Sequence, residues 1–467
     1  MQINHNLSAV IANNQLRKSE NKLIASVERL SSGLKINKAA DDPSGMAISQ
    51  KMKTQIRGLD RANDNANDGI SVLQTAEGAL SEVHSMLQRM RELAVQSSNG
   101  TYTEGDREAI QKEIDGLAEE INRISNDTQF NKVGLLDGSI DKRGYTNMDG
   151  VSVITFSEVV EPDEYSLRVT ELATKATVTG SLGFTEITEE MAGAVSINGV
   201  GVVIEEGDTA DDVYRKIRDT AETVGVSVTK DSATSFTLQN NEYGSNKKVE
   251  LQCDNPNLAN ALNFATTMPN AISTGTSLTV AGADTSIVLI GSLNRAVYDA
   301  NGTKVTITNT GGFEIELDID PEKATINETI SMDIMDIGAM ILQIGANEGE
   351  TMDVKIPAVN TYTLGLDYLN VLSQPTSLEA ITLLDEAIDR VSSVRSAIGA
   401  YQNRLEHAIS NLETSSLNMQ NALSRIEDVD MAEEMTDYTA ASVLEQAGTS
   451  VLAQANELPQ TVLQLLN

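Results

Sequence analysis

Residues 70–94 read ISVLQTAEGALSEVHSMLQRMRELA, and this stretch decides the fold. Its apolar positions, Ile70, Leu73, Ala76, Leu80, Val83, Leu87, Met90 and Ala94, advance in steps of three and four. That spacing puts one narrow apolar seam on a long helix, the pattern of helices that wrap around partner helices. Working back, Ile56, Leu59 and Ala66 extend the seam, so the helix spans ~60 Å at ~1.5 Å per residue. It stops at the Ser97-Ser98-Asn99-Gly100 cluster. Thr103 and Asp106 form a weakened capping box ahead of a third helix carrying Ile110, Ile114, Leu117, Ile121 and Ile124.

The chain begins with another helical stretch over 4–33. It carries Leu7, Val10, Ile11, Leu23, Val27 and Leu30, with Gly33 as its stop. Asp41-Asp42-Pro43-Ser44-Gly45 reads as a breaker turn before the long helix. The far end mirrors this arrangement. Thr376 and Glu379 form a capping-box pattern before Ile381, Leu384, Ile388, Val391, Val394, Ile398, Leu405, Ile409 and Leu412. A last stretch carries Leu444, Ala447, Val451, Ala455, Leu458, Val462 and Leu465. Seams this thin cannot enclose a core alone, so the two ends are expected to pair. Charge agrees. Residues 1–38 hold Arg17, Lys18, Lys22, Arg29, Lys35 and Lys38 against Glu20 and Glu28, whereas no Lys or Arg follows Arg425 and eight acids do.

Residues 142–336 change character. Alternating, β-branched pairs predict strands: Val195/Ile197, Val202/Ile204, Val226/Val228, Phe236/Leu238, Val249/Leu251, Val305/Ile307 and Phe313/Ile315/Leu317. One short helix is expected over 209–222, and a split of the region near 266–272. Met340–Ile344 and Met352–Ile356 flank Gly345-Ala346-Asn347-Glu348-Gly349 as a hairpin. The fold class is therefore α+β multidomain, with long paired N- and C-terminal helices and an inserted, mostly-β region.

Composition bounds the function. The net charge of −34 disfavours nucleic acid and anionic lipid, because phosphate binding needs clustered Lys and Arg. No run approaches the ~18 apolar residues of a membrane span. The single cysteine, Cys253, excludes a disulfide framework within one chain. It reads as a buried strand thiol, with no histidine in 142–336 to activate it. His5, His84 and His407 show no metal spacing, and the absence of histidine from 142–336 excludes a His-Glu-x-x-His zinc protease there. Asp208, Asp211 and Asp212 read as helix-start carboxylates. No catalytic, cofactor-binding or metal site is expected. The opening Met1-Gln2-Ile3-Asn4-His5-Asn6 lacks a secretory leader, which by itself reads as cytosolic.

Several motifs resemble the bacterial flagellins. They are Leu30-Ser31-Ser32-Gly33-Leu34-Lys35-Ile36-Asn37-Lys38-Ala39-Ala40-Asp41-Asp42-Pro43-Ser44-Gly45-Met46-Ala47-Ile48, Gln88–Gln96, Ser424–Asp428 and Gln446–Asn456. Ser196-Ile197-Asn198-Gly199 opens a segment similar to a β module found in flagellins and hook-associated proteins. The resemblance implies three parts. Residues 1–42 with 428–467 are a terminal coiled coil that orders on polymerisation, with Leu7, Val10, Leu23, Val27, Leu30, Leu444, Val451, Leu458 and Val462 at its core. Residues 43–141 with 337–427 are a helical domain bearing the hairpin. Residues 142–336 are a variable surface domain, with the β module at about 192–266.

It further implies a homo-oligomeric filament for swimming and export as an unfolded chain by the flagellar type III route, which replaces the cytosolic reading. The implied partners are an export chaperone, hook-associated and cap proteins, and the host's Toll-like receptor 5. Gln88, Arg89, Leu93, Gln96 and Glu113 match the receptor and subunit interface. A hook-associated junction protein, a filament-borne enzyme and an adhesin are the alternatives; motif density disfavours the first, and the second lacks a catalytic constellation.

Overall fold

The computed structural model describes residues 6–157, 159–232, 234–264 and 277–466, the side chains of 458–466 excepted. His5 and the segment expected to split near 266–272 therefore lie largely outside the described residues. Eight α-helices run through the described residues. They are α1 (Leu7–Ser32), α2 (Pro43–Ser97), α3 (Glu104–Asp127), α4 (Ala210–Thr223), α5 (Pro256–Ala261), α6 (Thr361–Leu364), α7 (Gln374–Glu427) and α8 (Met431–Leu466). The chain divides into two compact units, residues 1–69, 342–352 and 404–467 in one, and residues 70–341 and 353–403 in the other.

In the first unit α1 lies along α8. The Asn6 side chain caps α1 by accepting from the Ala9 N–H, and Gly33 closes it in the left-handed region at φ 74°. Every third or fourth residue of each helix is buried or half-buried: Ala9, Ala12, Leu16, Ser19, Leu23, Ser26 and Leu30 against Glu434, Tyr438, Ala441, Glu445, Gly448, Leu452 and Ala455. This is the heptad seam. Beyond it, the Lys35 N–H donates to the Glu427 carbonyl at 2.6 Å and the Val429 N–H to that of Gly33 at 3.0 Å.

Two capping expectations need correction. The Asp42-Pro43 turn does not delay α2 to Ile56; it starts the helix. Proline suits the first helical position, where no N–H is needed, and the Asp42 carboxylate accepts the Ser44 N–H at 3.0 Å. Likewise Thr376 does not pair with Glu379. Ser373 exchanges bonds with Thr376, its N–H donating at 3.2 Å and its hydroxyl accepting the Thr376 N–H at 3.4 Å, while Glu379 bonds Lys247.

In the second unit the helical part has a continuous core. Leu73, Ala76, Leu80, Val83, Leu87, Met90 and Ala94 of α2 are buried, together with Ile110, Ile114 and Ile121 of α3 and Leu384, Ala387, Val391 and Ile398 of α7. Thr103 and Asp106 make a complete capping box on α3. Arg395 donates twice to Glu77, at 2.7 and 2.9 Å, stapling α7 to α2.

The β region contains two cores, one nested inside the other. The inner core joins the sheet of Lys175–Ser181, Ser235–Tyr243 and Val226–Ser232 to the sheet of Ser277–Ala281, Lys248–Cys253, Gly193–Ile197 and Val200–Ile204, with α4 and α5 against them. Phe236, Val178, Leu251, Val213 and Ile217 fill it. The outer core takes strands from both sides of that module. Arg143–Thr146, Val151–Phe156 and Glu164–Glu171 come before it; Ser286–Ile290, Val297–Asn301, Lys304–Asn309, Phe313–Ile319 and Thr329–Met335 come after it. The expected sequential split is thus replaced by an insertion within an insertion. The two chain crossings are pinned by pairing, Arg143 opposite Met335 and Thr174 opposite Ala283. The hairpin over Met340–Gln343 and Thr351–Val354 is present.

Candidate assembly and receptor surfaces

The α1–α8 seam mixes leucines with small and polar groups. Ser26 donates to Glu434 at 2.5 Å, Arg29 reaches the same carboxylate at 3.5 Å, and Asn6 donates its side-chain amide to the Ala455 carbonyl at 2.8 Å. Gly448 sits against Leu16, where an added Cβ would lie 3.3 Å from its Cδ1. Close approach at Gly448 favours a residue without a side chain there, while several of the larger apolar groups of both helices stay outside the seam. Leu7, Val10 and Ile11 are 70, 56 and 62% exposed, and Ile24, Val27, Val443, Leu444 and Val451 are exposed with them. Leu23 and Leu30 stand half-buried in the seam. The side chains of Leu458 and Val462 lie outside the described residues. Among the assembly residues read from sequence, then, two occupy the intramolecular seam and five form uncovered stripes. Of the small seam residues, Ala455 was read in the sequence while Ala441 and Gly448 escape a search for large hydrophobes; their signal is small-residue spacing.

The second surface lies where α2 passes α3. The Arg89 guanidinium donates to Glu113 through Nη2 at 2.8 Å and Nε at 3.1 Å, and to Glu92 at 3.3 Å. Those bonds, chiefly the one to Glu113, raise its pKa further. Gln88 contacts His84 at 3.0 Å, and Gln96 donates to the Tyr102 hydroxyl at 3.0 Å. All four of Gln88, Arg89, Gln96 and Glu113 are exposed, whereas Leu93 is buried beneath them at 2% exposure. The patch is therefore polar on its face and apolar only in its support. Tyr102 and Glu92 belong to it and went unread in the sequence.

The other candidates serve the fold. Cys253 is buried, and burial, aided by the neighbouring Asp254, pushes its thiol up to about 11. Asp212 completes a capping box with Thr209 on α4, Asp208 pairs with Lys216 at 2.7 Å and Asp211 with Lys230 at 2.6 Å. Among the described residues no group of three or more His, Cys, Asp or Glu is placed to hold a metal, and no helix is long and apolar enough to cross a membrane.

Comparison with known proteins gives matches at both ends and along the whole length. Residues 3–141 match the bacterial flagellin N-terminal helical region and residues 381–466 the bacterial flagellin C-terminal helical region. A flagellin of Clostridium tyrobutyricum is 36% identical over 469 residues, covering 98% of this chain and 100% of that one. A flagellin of Salmonella typhimurium is 34% identical over 509 residues, covering 99% of each. Among solved structures, FliC from Burkholderia pseudomallei overlaps at TM-score 0.25 with 17% identity, over 72% of this chain and 99% of that one. The flagellar hook associated protein-3 of Legionella pneumophila does so at TM-score 0.30 with 14% identity, over 81% and 98%.

Proposed function

The chain belongs to the bacterial flagellin family and is a structural subunit of the extracellular flagellar filament, not an enzyme; from that premise we propose how its parts are used. The observation that carries the proposal is the pair of uncovered apolar stripes on α1 and α8. Each exposed Leu, Ile or Val that a neighbouring subunit covers contributes ~1.5–3 kcal/mol, and repetition along a filament multiplies the gain. Residues 1–42 with 428–467 supply the filament core, 43–141 with 337–427 the surrounding helical layer, and 142–336 the outward surface.

Assembly is completed by ordering at the two ends, so the free subunit exchanges amide hydrogens rapidly over 1–38 and 430–467. Export proceeds through the flagellar type III channel as an unfolded chain, and the lone cysteine suits threading because no disulfide has to form. A chaperone holds the last ~40 residues as an amphipathic segment before export. Hook-associated and cap proteins receive the same stripes at the filament's ends. Arg89 and Glu113, with Gln88 and Gln96, form the Toll-like receptor 5 surface, Arg89 being the interface anchor and Leu93 its buried support.

Seeded assembly tests the core of this. Purified monomer adds to filament seeds, and the chain lacking residues 430–467 does not. Growth by the truncated chain would defeat the mechanism. For the receptor surface, the measurement is binding of the receptor ectodomain to Arg89→Ala and Glu113→Ala monomers; undiminished binding removes the assignment.

A further inference from the structure

Within the second unit a cleft of about 540 Å³ opens between the inner β module and the segments 367–376 and 379–383. That volume falls in the roughly 300–1,000 Å³ span of small-ligand sites. Its walls are polar without being basic. Lys247, the lysine set deepest in it, is consumed by Glu242 at 2.8 Å and by Glu379, and Glu250 and Asp367 add negative charge around it. Anionic ligands are disfavoured by that surplus of carboxylates.

What the cleft does present is a set of unengaged groups. The Asn241 and Asn246 side chains line it, stand exposed and make no hydrogen bond, unlike Asn198 and Asn240, whose amides are tied to the backbone of Lys248. Tyr368 lines it too and is 70% exposed as a residue. A carboxamide carries a donor and an acceptor on one planar group, which matches the paired hydroxyls of a sugar. An exposed aromatic face supplies apolar contact to the C–H face of a pyranose while its edge stays wet.

We propose that this cleft binds a neutral di- or trisaccharide, Tyr368 stacking on one ring and Asn241 and Asn246 bonding its hydroxyls. The inference does not depend on assembly, because every group named sits within one unit of one subunit. It also gives the junction of the β region and the 367–383 segment a ligand class, where filament formation alone needs none.

The test is titration of unpolymerised full-length protein with three disaccharides, followed by amide chemical shifts and saturation transfer. Lactose stands for the termini of animal glycans, diacetylchitobiose for amino-sugar polymers of cell walls, and maltose for storage glucans; the one that saturates identifies the source. The expected result is saturation at millimolar concentration by at least one, with perturbed signals at 240–250 and 367–372. Tyr368→Ala weakens that binding about tenfold, Tyr368→Phe leaves it within about twofold, and the Asn241→Ala, Asn246→Ala double variant weakens it about tenfold. Both substituted surfaces are exposed, so the variants keep the parent circular dichroism. No perturbation by any of the three sugars, or equal binding by Tyr368→Ala, overturns the proposal.

Discussion

Asp284 shows how much a single side chain can hold. Its carboxylate accepts the Ser245 N–H at 2.8 Å and the Gly302 N–H at 2.9 Å, and also the Ser245 hydroxyl, so it joins the inner β module to the outer one. Gly302, at φ 66°, lets the chains touch there, since a Cβ would strike the Tyr243 carbonyl. Burial alone would raise the Asp284 pKa, but the bonds from Ser245 and Gly302 outweigh it and hold the carboxyl below the usual range. Because the folded group titrates lower than the unfolded one, its contribution is complete above the unfolded pKa and is lost as pH falls through the folded value. Asp284→Asn is expected to unfold more readily at pH 7, by ~1–3 kcal/mol, and the gap to the parent should be smaller at pH ~3, below the ~3.9 of an unfolded Asp, where the unfolded carboxyl is already largely protonated. Denaturant melts at the two pH values check this. Cys253 gives a second test: a thiol raised to about 11 and enclosed by the inner core stays unlabelled by an aromatic disulfide reagent at pH ~8 until denaturant is added. At the α2–α3 patch, Leu93→Ala should cost ~2–5 kcal/mol, whereas Arg89→Ala should leave stability nearly unchanged because its ion pairs are exposed.

Among the elements, the terminal helices separate what holds a subunit together from what joins subunits. Leu444→Asp with Val451→Asp alters exposed positions only, so monomer stability should stay within ~0.5 kcal/mol while seeded growth is lost. Gly448→Val should instead weaken the α1–α8 seam once assembly has ordered it, by forcing bulk against Leu16; amide exchange over 6–32 and 431–466 in assembled filaments, faster than in the parent, is the readout. Helix existence and the apolar periodicity of α1 and α8 were readable from spacing alone, since Leu7, Val10, Leu444 and Val451 keep helical period whatever they face. The seam was readable only in part, through Leu23, Leu30 and Ala455; hydrophobicity points to the greasiest face, while close backbone approach at Ala441 and Gly448 leaves no such signal. Strands with apolar alternation, such as Val195/Ile197 and Phe236/Leu238, were legible. Lys175–Ser181, with Lys, Thr and Gly in seven residues, carries too weak a pattern. The nesting of the two cores was invisible for a different reason: pairing Arg143 with Met335 is a choice made across the whole insertion, and local pattern carries no record of it.

For the whole molecule, charge governs behaviour. A net charge of −34 at pH 7 makes each arriving subunit repel the growing end. Seeded elongation is therefore expected to accelerate as salt rises from ~10 to ~150 mM, where the screening length falls from ~30 to ~8 Å. Light scattering from seeded reactions measures it, and a rate independent of salt would mean that the apolar stripes meet without feeling the overall field. Near the sequence pI of about 4.4 that repulsion vanishes, and unseeded association should become indiscriminate.

The doubled bracket of the β region has a consequence for how such a chain can change. Thr174 and Ala283 face each other across one interstrand step of about 5 Å, their N–H groups and carbonyls exchanging bonds at 2.9 and 3.1 Å. Everything between them leaves and returns through a single doorway. A foreign domain whose own two ends lie that close could be spliced in at the threshold, and the outer bracket, closed again at Arg143 and Met335, would not register the exchange. The inner module could be rewritten wholesale while the outer strands and the helices flanking the β region keep their sequence.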